Sequence, residues 1–277
     1  MYFTSSVYWT LQSGNDMNLK GKTSLITGAS SGLGVDFARE LAQRGADLIL
    51  TARRKERLEG VAQEMREAYG VRADVIALDL GESTAPQRLY DSVKELGCEV
   101  DILVNNAGFG VYGPFSDTPW DRTAQMLQLD IISLTHLTKL FLDEMIKRNS
   151  GYVLQVASAA AYQATPNYAA YAAAKSYVLH FGEALHHELR NTNVKISVLS
   201  PGVTATEFFQ VSGQGTSLFQ RVAVMDSPTV ARIGIKAMLA GKASKIAGVM
   251  NAFSAFGVRF IPRSVQRTLA GILMKSD

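Results

Sequence analysis

Apolar and polar positions follow two rhythms along the chain. Short runs that are apolar almost throughout recur at 23–27 (TSLIT), 47–51 (DLILT), 74–78, 101–105 (DILVN), 151–157 and 194–199. Between them, apolar residues return every three or four positions. In 32–44 these are Leu33, Phe37, Ala38, Leu41 and Ala42; in 55–69 they are Leu58, Val61, Ala62 and Met65. The first rhythm predicts buried strands, the second helices over 32–44, 55–69, 85–96, 121–148 and 167–190. A strand apolar on both faces needs cover on both. The alternation therefore predicts a single-domain, doubly wound α/β fold of the Rossmann type, with a parallel sheet and helices on both faces. A last short strand is expected at 244–249. Residues 207–227 show no clear period and are long for a structureless loop, which marks a lid or an unassigned region.

Composition narrows this picture. Of 277 residues, 47% are apolar and 19% charged, enough for a large core and against disorder. The net charge of +3 gives no ground for nucleic acid as a partner. The single cysteine, Cys98, excludes an internal disulfide framework and a thiolate metal cluster, and is compatible with a reducing, cytoplasmic location. His186 and His187 are neighbours that diverge on a helix, and His136 and His180 are isolated, so no metal site is expected. The uncharged stretch 149–174 is long enough to span a bilayer. It carries Gln155, Ser158, Gln163, Pro166 and Asn167, which read better as strand, loop and helix start.

At the ends, residues 1–16 lack Lys, Arg and a signal-type apolar core and read as an upstream extension, disordered or a mis-assigned start. The folded unit is then 17–250, with an amphipathic tail over 251–277. That tail sets Phe256, Phe260, Leu269 and Leu273 beside Arg259, Arg263, Arg267 and Lys275. Packing over a cleft or against a partner subunit is the reading preferred to contact with a membrane surface, since Pro262 interrupts the segment.

Chemistry begins at the first strand's end, where Thr27-Gly28-Ala29-Ser30-Ser31-Gly32-Leu33-Gly34 leads into a helix. Glycines let a backbone turn tightly against a phosphate, and the helix N-terminus favours negative charge. Gly28, Ser30, Ser31, Gly32, Leu33 and Gly34 are thus candidate cofactor contacts. An NAD site usually has an acid ~20 residues on, for the ribose hydroxyls. Ala52 stands 18 residues after Gly34, followed by Arg53 and Arg54. The missing acid and the two guanidinium groups predict NADPH/NADP+.

With these residues in view, the chain resembles the short-chain dehydrogenase/reductase family over roughly residues 19–250. The glycine turn fits its TGxxxGxG, Asn105-Asn106-Ala107-Gly108 its NNAG, and Tyr171-Ala172-Ala173-Ala174-Lys175 its YxxxK. Ser158 lies 13 residues before Tyr171, at the place of the family's catalytic serine, and Pro201 to Thr206 fits its PGxxxT. The chain looks most like the broad oxidoreductase branch labelled DltE-like. The resemblance implies that Tyr171 exchanges a proton with a substrate oxygen, that Ser158 bonds the same oxygen, and that Lys175 also bonds the nicotinamide ribose. It implies further cofactor contacts from Asp79, Asn105, Ala107, Gly108, Pro201, Gly202 and Thr206. One position departs: Asp130 stands where the family has a catalytic asparagine, and is read as a catalytic candidate in that relay place, helping to hold a water near Lys175, the alternative being that it turns toward solvent or a neighbouring helix.

Elementary chemistry supports the pairing. Tyr171 and Lys175, at i and i+4, share a helix face. A phenol of pKa ~10 is a poor proton exchanger near neutrality, and an adjacent ammonium should lower it. Phe109, Tyr112, Tyr162, Tyr168, Phe208 and Phe209 flank the motifs and predict an apolar substrate face. The expectation is an NADPH-dependent reductase or dehydrogenase acting on an apolar ketone, aldehyde or secondary alcohol. The alternative is a dinucleotide-sensing binding protein without turnover. The two long helices match the family's dimer-forming pair, so a homo-oligomer is expected.

Overall fold

A computed structural model describes residues 17–204, 208, 212–213 and 224–273. Its strands are β1 Thr23–Thr27, β2 Asp47–Ala52, β3 Ala73–Ala77, β4 Ile102–Asn105, β5 Gly151–Val156, β6 Val194–Ser200 and β7 Ser244–Ile246. They form one parallel sheet in the order β3-β2-β1-β4-β5-β6-β7. The order reverses between β1 and β4. At such a switch point, flanking helices leave on opposite faces and open a crevice at the strands' C-terminal ends.

Helices α1 Leu33–Ala42, α2 Lys55–Tyr69 and α3 Ala85–Glu95 follow the first three strands. The pattern read as one helix over 121–148 is α4 Trp120–Leu127 and α5 Leu134–Lys147, joined by a π-helical turn at Gln128–Ser133. A wider turn shifts the helical phase, which a 3.6 period cannot foresee. After β5 come a 3₁₀ turn, Ala159–Tyr162, and α6, Ala169–Glu188. Helix α7, Ser227–Leu239, escaped the sequence pattern. Asp226 caps it by accepting a hydrogen bond from the Thr229 N–H at 3.0 Å, and Val230, Ala231, Ile235 and Met238 bury one face. Helix α8, Val249–Gly257, and α9, Arg263–Leu273, end the described chain.

Two apolar layers sandwich the sheet. One joins α1, α2 and α7 through Phe37, Leu41, Leu58 and Ile235; the other joins α3 and α5 through Leu89, Leu137 and Phe141. Within the second layer a polar knot is buried. The Asn105 amide donates to Thr138 Oγ1 and Gln155 Oε1 at 3.0 and 3.1 Å, and the Gln155 amide donates to Thr138 at 2.8 Å. Desolvated hydrogen bonds of this kind stiffen the floor beneath the crevice. Among the described residues no helix is long and apolar enough to cross a membrane.

Candidate active site

A cleft of about 1300 Å³ opens along the C-terminal ends of the strands. At one end the chain turns from β1 into α1. Gly28 takes φ +68°, and a Cβ there would come within 2.9 Å of Ala107 Cα. A Cβ on Gly34 would overlap the Gly28 carbonyl, so this glycine sits under the turn as packing and does not line the cleft. The turn is clamped from β4. Asn106 donates its side-chain amide to Thr27 O at 2.9 Å, and the Asn106 and Ala107 N–H groups each donate to Thr27 Oγ1 at 2.9 Å.

Arg54 reaches back over this turn, donating to Ser31 Oγ at 2.8 Å and Ser30 Oγ at 3.2 Å. Arg53 points toward Asp79, 3.9 Å away, in a largely solvated pair of small energetic weight. The two adjacent arginines thus part company, and Arg54 carries the donor cluster. Asp79 also accepts from the Gly81 N–H at 2.9 Å. Gly28, Ser30, Ser31, Gly32, Leu33, Arg53, Arg54, Asp79, Ala107, Gly108, Pro201 and Gly202 all line the cleft. Asn105 does not; it belongs to the buried knot below. Thr206 and Phe209 lie outside the described residues.

At the middle of the cleft, four side chains meet from three segments. Ser158 opens the 3₁₀ turn after β5, its Oγ accepting from the Ala160 N–H at 3.1 Å. Tyr171 and Lys175 come from the first turns of α6, with the ammonium 5.7 Å from the centre of the tyrosine ring. Lys175 donates to the Val156 carbonyl at 3.2 Å and pairs with Asp130 at 3.0 Å. Asp130 rides on the π-helical turn and is fully buried; its other oxygen accepts from the Phe109 N–H at 3.2 Å. Gly108 makes room for this pair, since a Cβ there would come within 2.9 Å of the carboxylate and 3.1 Å of the ammonium.

Charge then follows burial. Desolvation raises the Asp130 carboxyl above its ordinary value, and the Lys175 ammonium pulls it back only in part. Tyr171 is pushed well above the ordinary phenol value, first by burial and then by the Asp130 charge, against a hydrogen bond from Ser158. The expectation that Lys175 lowers the phenol is therefore corrected. Asp130 engages the ammonium at 3.0 Å, and its own charge raises the phenol. Burial and the Asp130 charge both favour the protonated phenol.

Beyond Tyr171 the wall turns aromatic. Ring centres are 5.4 Å apart for Tyr171 and Phe208, 5.6 Å for Tyr168 and Tyr171, and 5.1 Å for Tyr112 and Tyr168. The Tyr168 and Ser212 hydroxyls share a hydrogen bond at 3.0 Å. Phe109 and Tyr162 also line this end, as do Met250, Ser254 and Ala255 of α8, which the sequence pattern did not nominate. Among the described residues no cluster of His, Cys, Asp and Glu is arranged to hold a metal.

Comparison with known proteins fits this arrangement. Residues 22–216 match the family model described as short chain dehydrogenase. The very-long-chain 3-oxoacyl-CoA reductase of Anas platyrhynchos is 36% identical over 198 residues, 69% of this chain and 62% of that protein. The matched region thus spans about six-tenths of that relative's length. The uncharacterized oxidoreductase YvaG of Bacillus subtilis is 34% identical over 69% of this chain and 71% of its own. Among solved structures, a short-chain dehydrogenase from Sphingobium yanoikuyae in complex with NADPH superposes with a TM-score of 0.79 and 25% identity. That match covers 86% of this chain and 92% of the other.

Proposed function

The chain belongs to the short-chain dehydrogenase family of oxidoreductases, and from that premise we propose that it is an NADPH-dependent reductase of apolar ketones or aldehydes, reversible toward secondary alcohols. The observation that carries this reading is the convergence of Ser158, Tyr171 and Lys175 on one cleft, with a donor-rich glycine turn at one end and an aromatic wall at the other.

The residues present fit a phosphorylated dinucleotide. The glycine cradle and the N-terminus of α1 suit a pyrophosphate. Ser30, Ser31 and Arg54 offer hydroxyl and guanidinium donors suited to a 2′-phosphate, and no carboxylate at Ala52 opposes it. Arg53 and Asp79 would flank the adenine, Lys175 would hold the nicotinamide ribose, and Pro201 and Gly202 would border the nicotinamide. When bound, NADPH supplies a hydride.

The chain's own groups handle the proton. The Ser158 hydroxyl orients the substrate oxygen, and Tyr171 delivers its phenolic proton to that oxygen as negative charge develops there. Burial keeps the proton on Tyr171 until it is needed. Asp130 fixes Lys175 beside it and is a positioning residue. The exposed apolar residues Ile132, on the π-helical turn, and Tyr177, on α6, support the reading of a homo-oligomer, which light scattering would test.

The test is NADPH oxidation over a panel of apolar ketones, aldehydes and 3-oxoacyl thioesters, the last because a relative's name includes that activity. Turnover of at least one class is expected. NADPH binding with no turnover across the panel would favour the dinucleotide-sensing alternative.

A further inference from the structure

The last two helices invert the usual amphipathic arrangement. In α8 the small or polar Asn251, Ser254 and Ala255 turn to the cleft, while Phe253 and Phe256 point outward. Val249 and Met250 stand at the cleft's rim, and Met250 is 80% exposed and Phe253 69%. Phe260 extends the patch, its ring centre 5.2 Å from that of Phe256. Helix α9 repeats the inversion: Ala270 is buried, whereas Val265, Leu269 and Ile272 are exposed. Apolar side chains gathered this way on a surface mark a docking face.

Charge narrows what can cover it. No Asp or Glu occurs between residues 227 and 276, whereas Arg259, Arg263 and Arg267 are interleaved with the patch and exposed. A second copy meeting it across a two-fold axis would set the same arginines against one another. An anionic bilayer meets both demands at once, with acyl chains for the phenylalanines and headgroups for the guanidinium groups.

We infer that the α8–α9 face docks on anionic lipid membranes, with Phe253, Phe256 and Phe260 entering the acyl boundary and Arg259, Arg263 and Arg267 on the headgroups. Because Val249 and Met250 belong to the rim, docking sets the cleft mouth against the lipid. The contact is peripheral and reversible.

The experiment is co-sedimentation of the full chain with vesicles of phosphatidylcholine alone and of phosphatidylcholine mixed with phosphatidylglycerol, at low and high salt. Binding to the mixed vesicles is expected, stronger than to phosphatidylcholine alone and weakened by salt. Each of Arg259→Gln, Arg263→Gln and Arg267→Gln should weaken it by about fivefold. Phe253→Ser and Phe256→Ser should each weaken it by about tenfold. Neither phenylalanine lines the cleft, so thermal unfolding and NADPH binding of these variants report that the fold is intact. Absence of sedimentation with the mixed vesicles would overturn the proposal, as would binding indifferent to all five substitutions. So would a dimer in analytical ultracentrifugation that Phe253→Ser dissociates, because a second copy would then occupy the face.

Discussion

The two ends of the cleft are built by different means. The glycine end is backbone and short polar side chains: Thr27 and Asn106 lock together within 3 Å beside Gly28, at the ends of strands in the centre of the sheet. The aromatic end is large side chains from scattered segments: Tyr112 packs on Tyr168, Tyr168 on Tyr171 and Tyr171 on Phe208, and α8 also lines the cleft. A phosphate needs fixed N–H groups and charge, which only a rigid local turn supplies cheaply. An apolar substrate needs surface of the right shape, which many side-chain sets provide. The first end is therefore constrained to one solution, and the second is free to differ from one such protein to another.

The largest expected effect falls where the two ends meet. Tyr171→Phe removes the phenolic oxygen and leaves the ring against Tyr168 and Phe208. Turnover should fall by about 10²–10⁴-fold with NADPH affinity retained. Steady-state kinetics beside a fluorescence titration of NADPH would check both, and an active Phe variant would remove Tyr171 from the chemistry.

The glycine end can be probed through its two arginines. Arg54 donates to Ser30 and Ser31 over the turn, and Arg53 leans on Asp79. Arg54→Ala should weaken NADPH binding by about tenfold to a hundredfold and leave NADH nearly unchanged, since charged hydrogen bonds are worth ~1.5–3 kcal/mol. Arg53→Ala should cost less. Dissociation constants for both cofactors in both variants decide it; equal affinity for NADPH and NADH in the unaltered protein would sink the cofactor assignment.

The aromatic end should respond differently. Phe208→Ala opens the wall beside Tyr171. KM for a bulky apolar ketone should rise by about tenfold, the worth of one buried aromatic contact, while KM for a small carbonyl barely moves. An equal rise for both substrates would mean that the wall serves the fold and not the substrate.

This contrast also explains what the sequence revealed. Parallel strands and their helices were legible because burial on both sheet faces leaves an unmistakable apolar run, as at Ile49 and Leu50. The glycine turn was legible because its chemistry is local. Which of two neighbours faces the cleft was not. Asn105 and Asn106 sit where β4 ends, and adjacent side chains there go opposite ways. Only the register, Asn105 opposite Gln155, tells that Asn105 points into the interior. The aromatic wall was legible as a list of residues near the motifs, without the contacts that order them. Asp130 was legible as a departure, but its burial depends on the π-helical turn, and a one-residue widening has no periodic signature.

Asp130 offers the finest test, because it acts on the reaction only through its neighbours. Its carboxylate holds Lys175 at 3.0 Å and the Phe109 N–H at 3.2 Å, and its charge helps raise the Tyr171 phenol. An asparagine keeps one acceptor oxygen for Lys175 and carries no charge; its amide NH2 replaces the oxygen that the Phe109 N–H used. Asp130→Asn should therefore keep Lys175 in place and the turnover with it, while the Tyr171 phenol falls toward its ordinary value. The sign follows from which form each direction uses. Alcohol oxidation needs the phenolate, so its rise with pH should begin at lower pH in the variant. Carbonyl reduction needs the phenol, so its loss at high pH should also begin lower. Asp130→Leu separates this from a merely structural role. It leaves the buried ammonium of Lys175 without its partner, at a cost of about 3–5 kcal/mol in stability, which thermal unfolding would register and the Asn variant should largely escape. If the Asn variant's pH–rate profiles superimpose on those of the unaltered protein in both directions, the Asp130 charge does not reach the tyrosine, and the carboxylate serves packing alone.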